Sequence, residues 1–156
     1  MEKKIKRIYV DATIVLGHFD KDTARRKKTD VFWRAVQYKE VVVIASDVLD
    51  NEIQSEHARD FLATLPESQV IWIDTTNESI ALAQKYIDGN VVSGGNQNDC
   101  NHVALATIHA DGVVSWNMSD MVRKKKRYNT VNEENGYPKI KIVTPNKYKE
   151  IPYEKK

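Results

Sequence analysis

RIYVDATIV, residues 7–15, places a carboxylate directly after an apolar, partly β-branched run. The segment Ile5 to Val10 predicts a short buried strand that meets solvent at Asp11. A carboxylate just past such a strand stands where open α/β sheets bind their ligands, at the carboxyl edge of the strands. The same layout recurs along the chain. Val41 to Ala45 reads as a second buried strand, followed at once by Ser46 as a helix N-cap, with Glu52 on the second turn of that helix. Asp99 opens a helical stretch, NDCNHVALATIHA, in which it stands at the cap position. After GVVSW come Asn117 and Asp120, in a polar loop.

The rest of the chain fills in an alternating pattern. Thr23 to Gln37 is amphipathic, with Val31, Phe32, Ala35 and Val36 at helical spacing. A helix over Ser55 to Thr64 stops before Pro66, and Val70 to Ile73 makes a third strand. Thr76 caps a helix running through Tyr86 and Ile87, closed by Gly89 and Asn90. Residues 91–98, rich in glycine and asparagine, read as a loop leading into the helix from Asp99 to Ala110. Val113 to Ser115 is a fourth strand, a short basic helix follows Asp120, and Ile140 to Val143 is a fifth strand with a loop tail from Pro145. Strands alternating with helices predict an α/β fold, with a mostly parallel central sheet of about four to five strands and helices on both faces. The whole of residues 1–156 is expected to form a single domain.

Apolar residues at 41% and charged residues at 29% give an ordinary globular balance, against extensive disorder. The net charge of +2 does not by itself point to a polyanion partner. Local charge says more: Arg25 to Lys28 and Arg123, Lys124, Lys125, Lys126 and Arg127 are basic runs, read either as phosphate-binding rims or as solvated helix faces. Cys100 is the single cysteine, which excludes an intrachain disulfide and a cysteine zinc cluster and suits a reducing cytoplasm. No secretory leader is expected, because Asp11 interrupts the first apolar patch. The apolar run VVVIA is far shorter than the roughly 20 residues that span a bilayer, so no membrane association is expected. The four histidines lack the HExxH spacing of a zinc hydrolase, and no P-loop or GxGxxG is present. His102, one turn after Asp99, reads first as a packing or surface histidine. Trp33 and Trp72 read as core, whereas Trp116, beside Asn117, is a candidate platform for a nucleobase.

Carboxylates gathered in a small pocket cannot all ionise without a cation, since like charges a few ångströms apart raise one another's pKa. Hard oxygen donors suit Mg²⁺ or Mn²⁺, which would lower the pKa of a coordinated water and stabilise charge on a phosphodiester being displaced. Water is then the nucleophile. Spacing alone leaves Asp47, Asp50 and Glu56 as rivals to Glu52.

RIYVDATIVLGHFD, ASDVLDNEI, QNDCNHVALATIHADGVVSWNMSD and NGYPKIKIVTP, in that order and spacing, resemble the PIN domain family, closest to the VapC-type toxin ribonucleases of prokaryotes. The resemblance covers about Arg7 to Pro145 and selects Glu52 among the rivals. It implies a three-layer α/β/α PIN-like nuclease fold whose acidic pocket binds Mg²⁺ or Mn²⁺ and cleaves RNA. It also implies a homodimer and a cognate antitoxin protein that blocks the pocket. By the same resemblance Asp11, Glu52 and Asp99 match the family's three most dependable acids, Asn117 falls where members carry Asp or Asn, and Asp120 where many carry a further Asp. Asp11, Glu52, Asp99 and Asp120 are thus the expected metal ligands, with Thr13 and Trp116 beside them. Two departures stand out: Ala12 replaces a Thr or Ser, and Asn117 removes a charge if it replaces an Asp. Two other readings stay open, a PIN nuclease of RNA processing or turnover without an antitoxin, and a catalytically weak RNA-binding or protein-interaction module.

Overall fold

A computed structural model describes residues 5–38, 41–92 and 97–153. Its strands are β1 (Lys6–Val10), β2 (Val41–Ser46), β3 (Val70–Ile73), β4 (Gly112–Val114) and β5 (Lys141–Val143). Its helices are α1 (Ala12–Gly17), α2 (Thr23–Gln37), α3 (Asp47–Glu52), α4 (Glu56–Ala63), α5 (Asn77–Asp88), α6 (Gln97–His109) and α7 (Lys125–Glu134). All strand pairings are parallel and the order is β3-β2-β1-β4-β5.

Successive strand residues point to opposite faces, so a strand covered on both sides must be apolar at every position. The central strands behave this way over Ile8 to Val10 and Val41 to Ala45. Ile8, Val10, Val43, Ala45, Val114 and Val143 pack into one core with α1, α2 and α4. Tyr9, Ile44, Val113 and Ile142 join the opposite core with α5, α6 and Tyr128 of α7. The three-layer α/β/α expectation therefore holds, with five strands. Trp72, read as core, is 52% exposed, because β3 is an edge strand.

Helix starts follow local chemistry. Asp22 accepts the Ala24 and Arg25 N–H groups ahead of α2, Ser46 accepts that of Leu49, and Thr76 and Ser79 cap α5 reciprocally. Three features differ from the sequence reading. Helix α1 has no counterpart there: its β-branched residues Ile14 and Val15 are buried, and that burial overrides their modest helix propensity. Helix α6 starts at Gln97, which puts Asp99 inside the first turn and not at the cap. The tail forms a 3₁₀ segment over Pro145–Glu150, and Ile151 behind it is fully buried. A Cβ on Gly112 would come within 2.6 Å of Ile151, so the bare glycine lets the tail seal the sheet there. Gly94, Gly95 and Asn96 of the predicted loop lie outside the described residues. Among the described residues no helix is long and apolar enough to cross a membrane.

The chain runs from β1 outward to β3, then crosses back to lay β4 on the other side of β1. A topological switch point therefore lies between β1 and β4, and the crevice at their carboxyl ends is where such sheets place ligands.

Candidate metal-binding and nuclease site

Asp11 follows β1 at this switch point and is 3% exposed. It occupies the N-cap position of α1 yet makes no capping bond with its side chain. Its carboxylate instead accepts two hydroxyl protons, from Thr13 at 2.5 Å and from Ser115 at 2.5 Å. Both hydroxyls are themselves fixed by backbone, Thr13 Oγ1 accepting the Trp116 N–H at 2.9 Å and Ser115 Oγ the Asn117 N–H at 2.9 Å. The loop after β4 is thus tied to the loop after β1 through the two oxygens of one carboxylate. Burial pushes the Asp11 carboxyl above its ordinary range, against the opposing pull of His102 and the two hydroxyl donors.

Asp99 reaches the same edge because α6 runs antiparallel to the strands and begins at their carboxyl ends. Burial raises its carboxyl from 3.8 to about 6, and the charges of Asp120 and Asp11 add to the effect. His102 and a hydrogen bond from the Asn117 side chain pull the other way. The Asn117 side-chain oxygen Oδ1 accepts the Asp120 N–H at 3.1 Å, so Asn117 links Asp120 to Asp99. One oxygen of Asp99, Oδ2, is buried with no hydrogen-bond partner.

Glu52 ends α3 and pairs with Nε2 of His102. Its rivals by spacing are engaged elsewhere: Asp47 accepts the Thr75 N–H and hydroxyl, and Asp50 pairs with Arg59 at 4.0 Å. His102 is no surface residue, being 1% exposed. Ser115 and His102 are the site neighbours the sequence reading underweighted. The signals were faint: a hydroxyl closing a strand beside a candidate site, and an imidazole three residues after an acid on one helix.

Trp116 is held on three sides. Its indole N–H donates to Thr29 Oγ1 at 2.8 Å, its ring packs against the core, and the Arg25 guanidinium lies 4.7 Å from the ring centre. Of the second basic run, Arg123, Lys125, Lys126 and Arg127 are exposed, just beyond Asp120 in the chain. Lys125 and Lys126 also line a groove of about 650 Å³ between α7 and β5, which none of the four candidate acids borders.

Do these residues fit a divalent cation? Two buried carboxylates, both raised by burial and Asp99 also by the charge of Asp11, one with an orphaned oxygen, form a hard-oxygen site. Among the described residues no three acids, histidines or cysteines close around a common point. The donor chemistry, carboxylate oxygens, is of the kind that Mg²⁺ takes. Cys100 is buried with its thiol pushed up to about 11, and so takes no part as a thiolate.

No family model matches the sequence and no curated protein matches it. Solved structures do match the fold. VapC20 of Mycobacterium tuberculosis, a toxin that cleaves the sarcin-ricin loop, superposes with a TM-score of 0.54 at 12% identity, over 86% of this chain and 98% of that one. VapBC2 of Rickettsia felis, bound to a DNA fragment from its promoter, gives 0.57 at 14% identity, over 87% and 96%. The chain shares its fold with these VapC structures. In this VapC-type fold, the crevice between β1 and β4 is the edge to which Asp11, Asp99, Asn117 and Asp120 converge.

Proposed function

We propose that this chain is a divalent-metal-dependent endoribonuclease, the toxin of a type II toxin–antitoxin pair acting in the cytoplasm as a homodimer. The observation that carries the reading is the electrostatic state of the switch-point crevice. Asp11 and Asp99 are buried and destabilised as anions by burial, Asp11 further by Glu52 and Asp99 by Asp120 and Asp11, and one of their oxygens has no partner. Such a cost is kept where a cation is to be held.

Asp11 and Asp99 would hold Mg²⁺ or Mn²⁺ directly, with Asp120 at the rim and Glu52 as a further ligand or as the base that orients the attacking water. When bound, the ion supplies a Lewis acid that makes hydroxide available near neutral pH and shields charge at phosphorus. Thr13 and Ser115 keep the Asp11 carboxylate in one orientation, while Arg123 to Arg127 attract the RNA backbone. Attack by water leaves a 3′-hydroxyl and a 5′-phosphate. Leu16, Phe19 and Val31 are 40–49% exposed and give an antitoxin or a second copy apolar surface to cover.

The test is cleavage of total cellular RNA by the purified protein with Mg²⁺, Mn²⁺ or EDTA, beside Asp11→Asn. Metal-dependent cleavage lost in the variant supports the nuclease. A second reading draws on Asn117, an amide donating to Asp99 where a carboxylate would add charge: a catalytically weak RNA-binding module. RNA binding with no metal-dependent cleavage would select it. A neighbouring gene for a small DNA-binding protein separates the toxin from a nuclease of RNA processing.

A further inference from the structure

Behind Glu52 lies a chain of buried polar groups. The Glu52 carboxylate meets Nε2 of His102. Nδ1 of the same ring lies 2.6 Å from the Tyr9 hydroxyl, which lies 2.6 Å from Ser46 Oγ. Ser46 in turn accepts the Leu49 N–H at 3.2 Å as the cap of α3, the helix that ends in Glu52. Tyr9 and Ser46 are fully buried, and the tyrosine and imidazole rings meet edge to face at 5.4 Å.

The donors can be assigned. An ionised carboxylate only accepts, so Nε2 carries a proton; where that is the ring's one proton, Nδ1 is left as an acceptor. The Tyr9 hydroxyl must donate to it, and the Ser46 hydroxyl donates to the Tyr9 oxygen while accepting from Leu49. Burial holds the Tyr9 phenol in its protonated form, as this direction requires.

We propose that His102 and Tyr9 are positioning residues: a one-way chain of hydrogen bonds, Ser46 to Tyr9 to His102 to Glu52, holds the Glu52 carboxylate at the acidic edge. The catalytic use of Glu52 rests on the nuclease reading above; the chain itself does not. Glu52 stands at the end of a helix of only six residues, followed by extended backbone at Ile53. Left alone, its side chain would sample several rotamers. A chain built from β2, β1 and α6 ends, through His102, on one of its oxygens and orients it in advance.

The test uses the full-length, metal-free protein labelled with ¹⁵N, observed by imidazole NMR at pH 8, together with Mn²⁺-dependent cleavage of a mixed-sequence fluorogenic RNA oligonucleotide. The parent should show His102 as the Nε2–H tautomer, and Tyr9→Phe should turn it into a mixture. His102→Leu should lower kcat about tenfold or more with KM unchanged, and His102→Gln, whose amide donates from near the Nε2 position, should recover to within about threefold of the parent. An Nδ1–H tautomer or a doubly protonated ring in the parent, or no change in Tyr9→Phe, overturns the one-way chain whether or not RNA is cut. Parental kcat in His102→Leu overturns the positioning role. The expected tautomer in a parent that never cleaves RNA overturns the nuclease reading and the catalytic use of Glu52, while the hydrogen-bond chain stands.

Discussion

Two buried polar clusters in this molecule follow opposite rules. Between α5, α6 and α7, the Tyr86 hydroxyl donates to Asn132 Oδ1 at 2.5 Å, and Asn132 Nδ2 reaches Thr107 Oγ1 and Asn129 Oδ1, each at 3.3 Å. Thr107 donates to the Val103 carbonyl at 2.8 Å. These groups are neutral and paired, so the cluster joins three helices at little electrostatic cost. At the carboxyl edge of the sheet, Asp11 and Asp99 are equally enclosed but charged, and Asp99 keeps an unpaired oxygen. One cluster serves the fold; the other weakens it, as sites built to receive a ligand do.

The comparison breaks most sharply on activity. Asp11→Asn should reduce metal-dependent RNA cleavage by a factor of about a hundred or more, on the order of 3 kcal/mol of barrier, while circular dichroism stays parental. Equal cleavage by variant and parent would remove the acidic edge from the chemistry. On the neutral side, Asn132→Leu leaves the Tyr86 hydroxyl and its neighbours without their shared partner. Urea unfolding should show a loss of about 2–4 kcal/mol with cleavage little changed in the remaining folded fraction.

The acidic side should respond with the opposite sign. The Asp99 carboxyl, raised from 3.8 to about 6, binds its proton more tightly in the native state than in the unfolded one. Its contribution to stability is therefore fully present below about pH 4 and is lost as pH rises through about 6. In EDTA at pH 7, Asp99→Asn should stabilise the protein by about 1–2 kcal/mol, and the gain should vanish near pH 4. A variant less stable than the parent at pH 7 would show that Asp99 serves the fold and carries no such cost. The smallest effect is expected at the rim. Alanine at Arg123 to Arg127 should leave stability within about 0.5 kcal/mol, weaken RNA binding, and flatten its salt dependence by about one unit of slope for each phosphate that these side chains cease to neutralise.

Much of this contrast could be read before folding. The apolar strands announced themselves as short uninterrupted runs, and Asp11 and Asp99 stood beside them in order. Helix α1 could not be read, because Ile14 and Val15 carry strand propensity and only their burial makes the turn helical. The choice of Glu52 over Asp47 and Asp50 was invisible to spacing. It depends on which acid faces His102, which neighbours Thr75 and which meets Arg59.

By itself the sequence determined the alternation of strands and helices, the two-sided burial of the sheet, the caps at Ser46 and Thr76 and the set of acids available along the chain. Those are local properties, set by side-chain periodicity and by hydrogen bonds a few residues long. Only the tertiary structure decided which acids share a crevice, that Ser115 would clasp Asp11 across 104 residues, and that His102 would hold Glu52 across 50. Those pairings depend on the order in which the strands lie, with β4 returning to the side of β1, and no periodicity within a strand encodes that order.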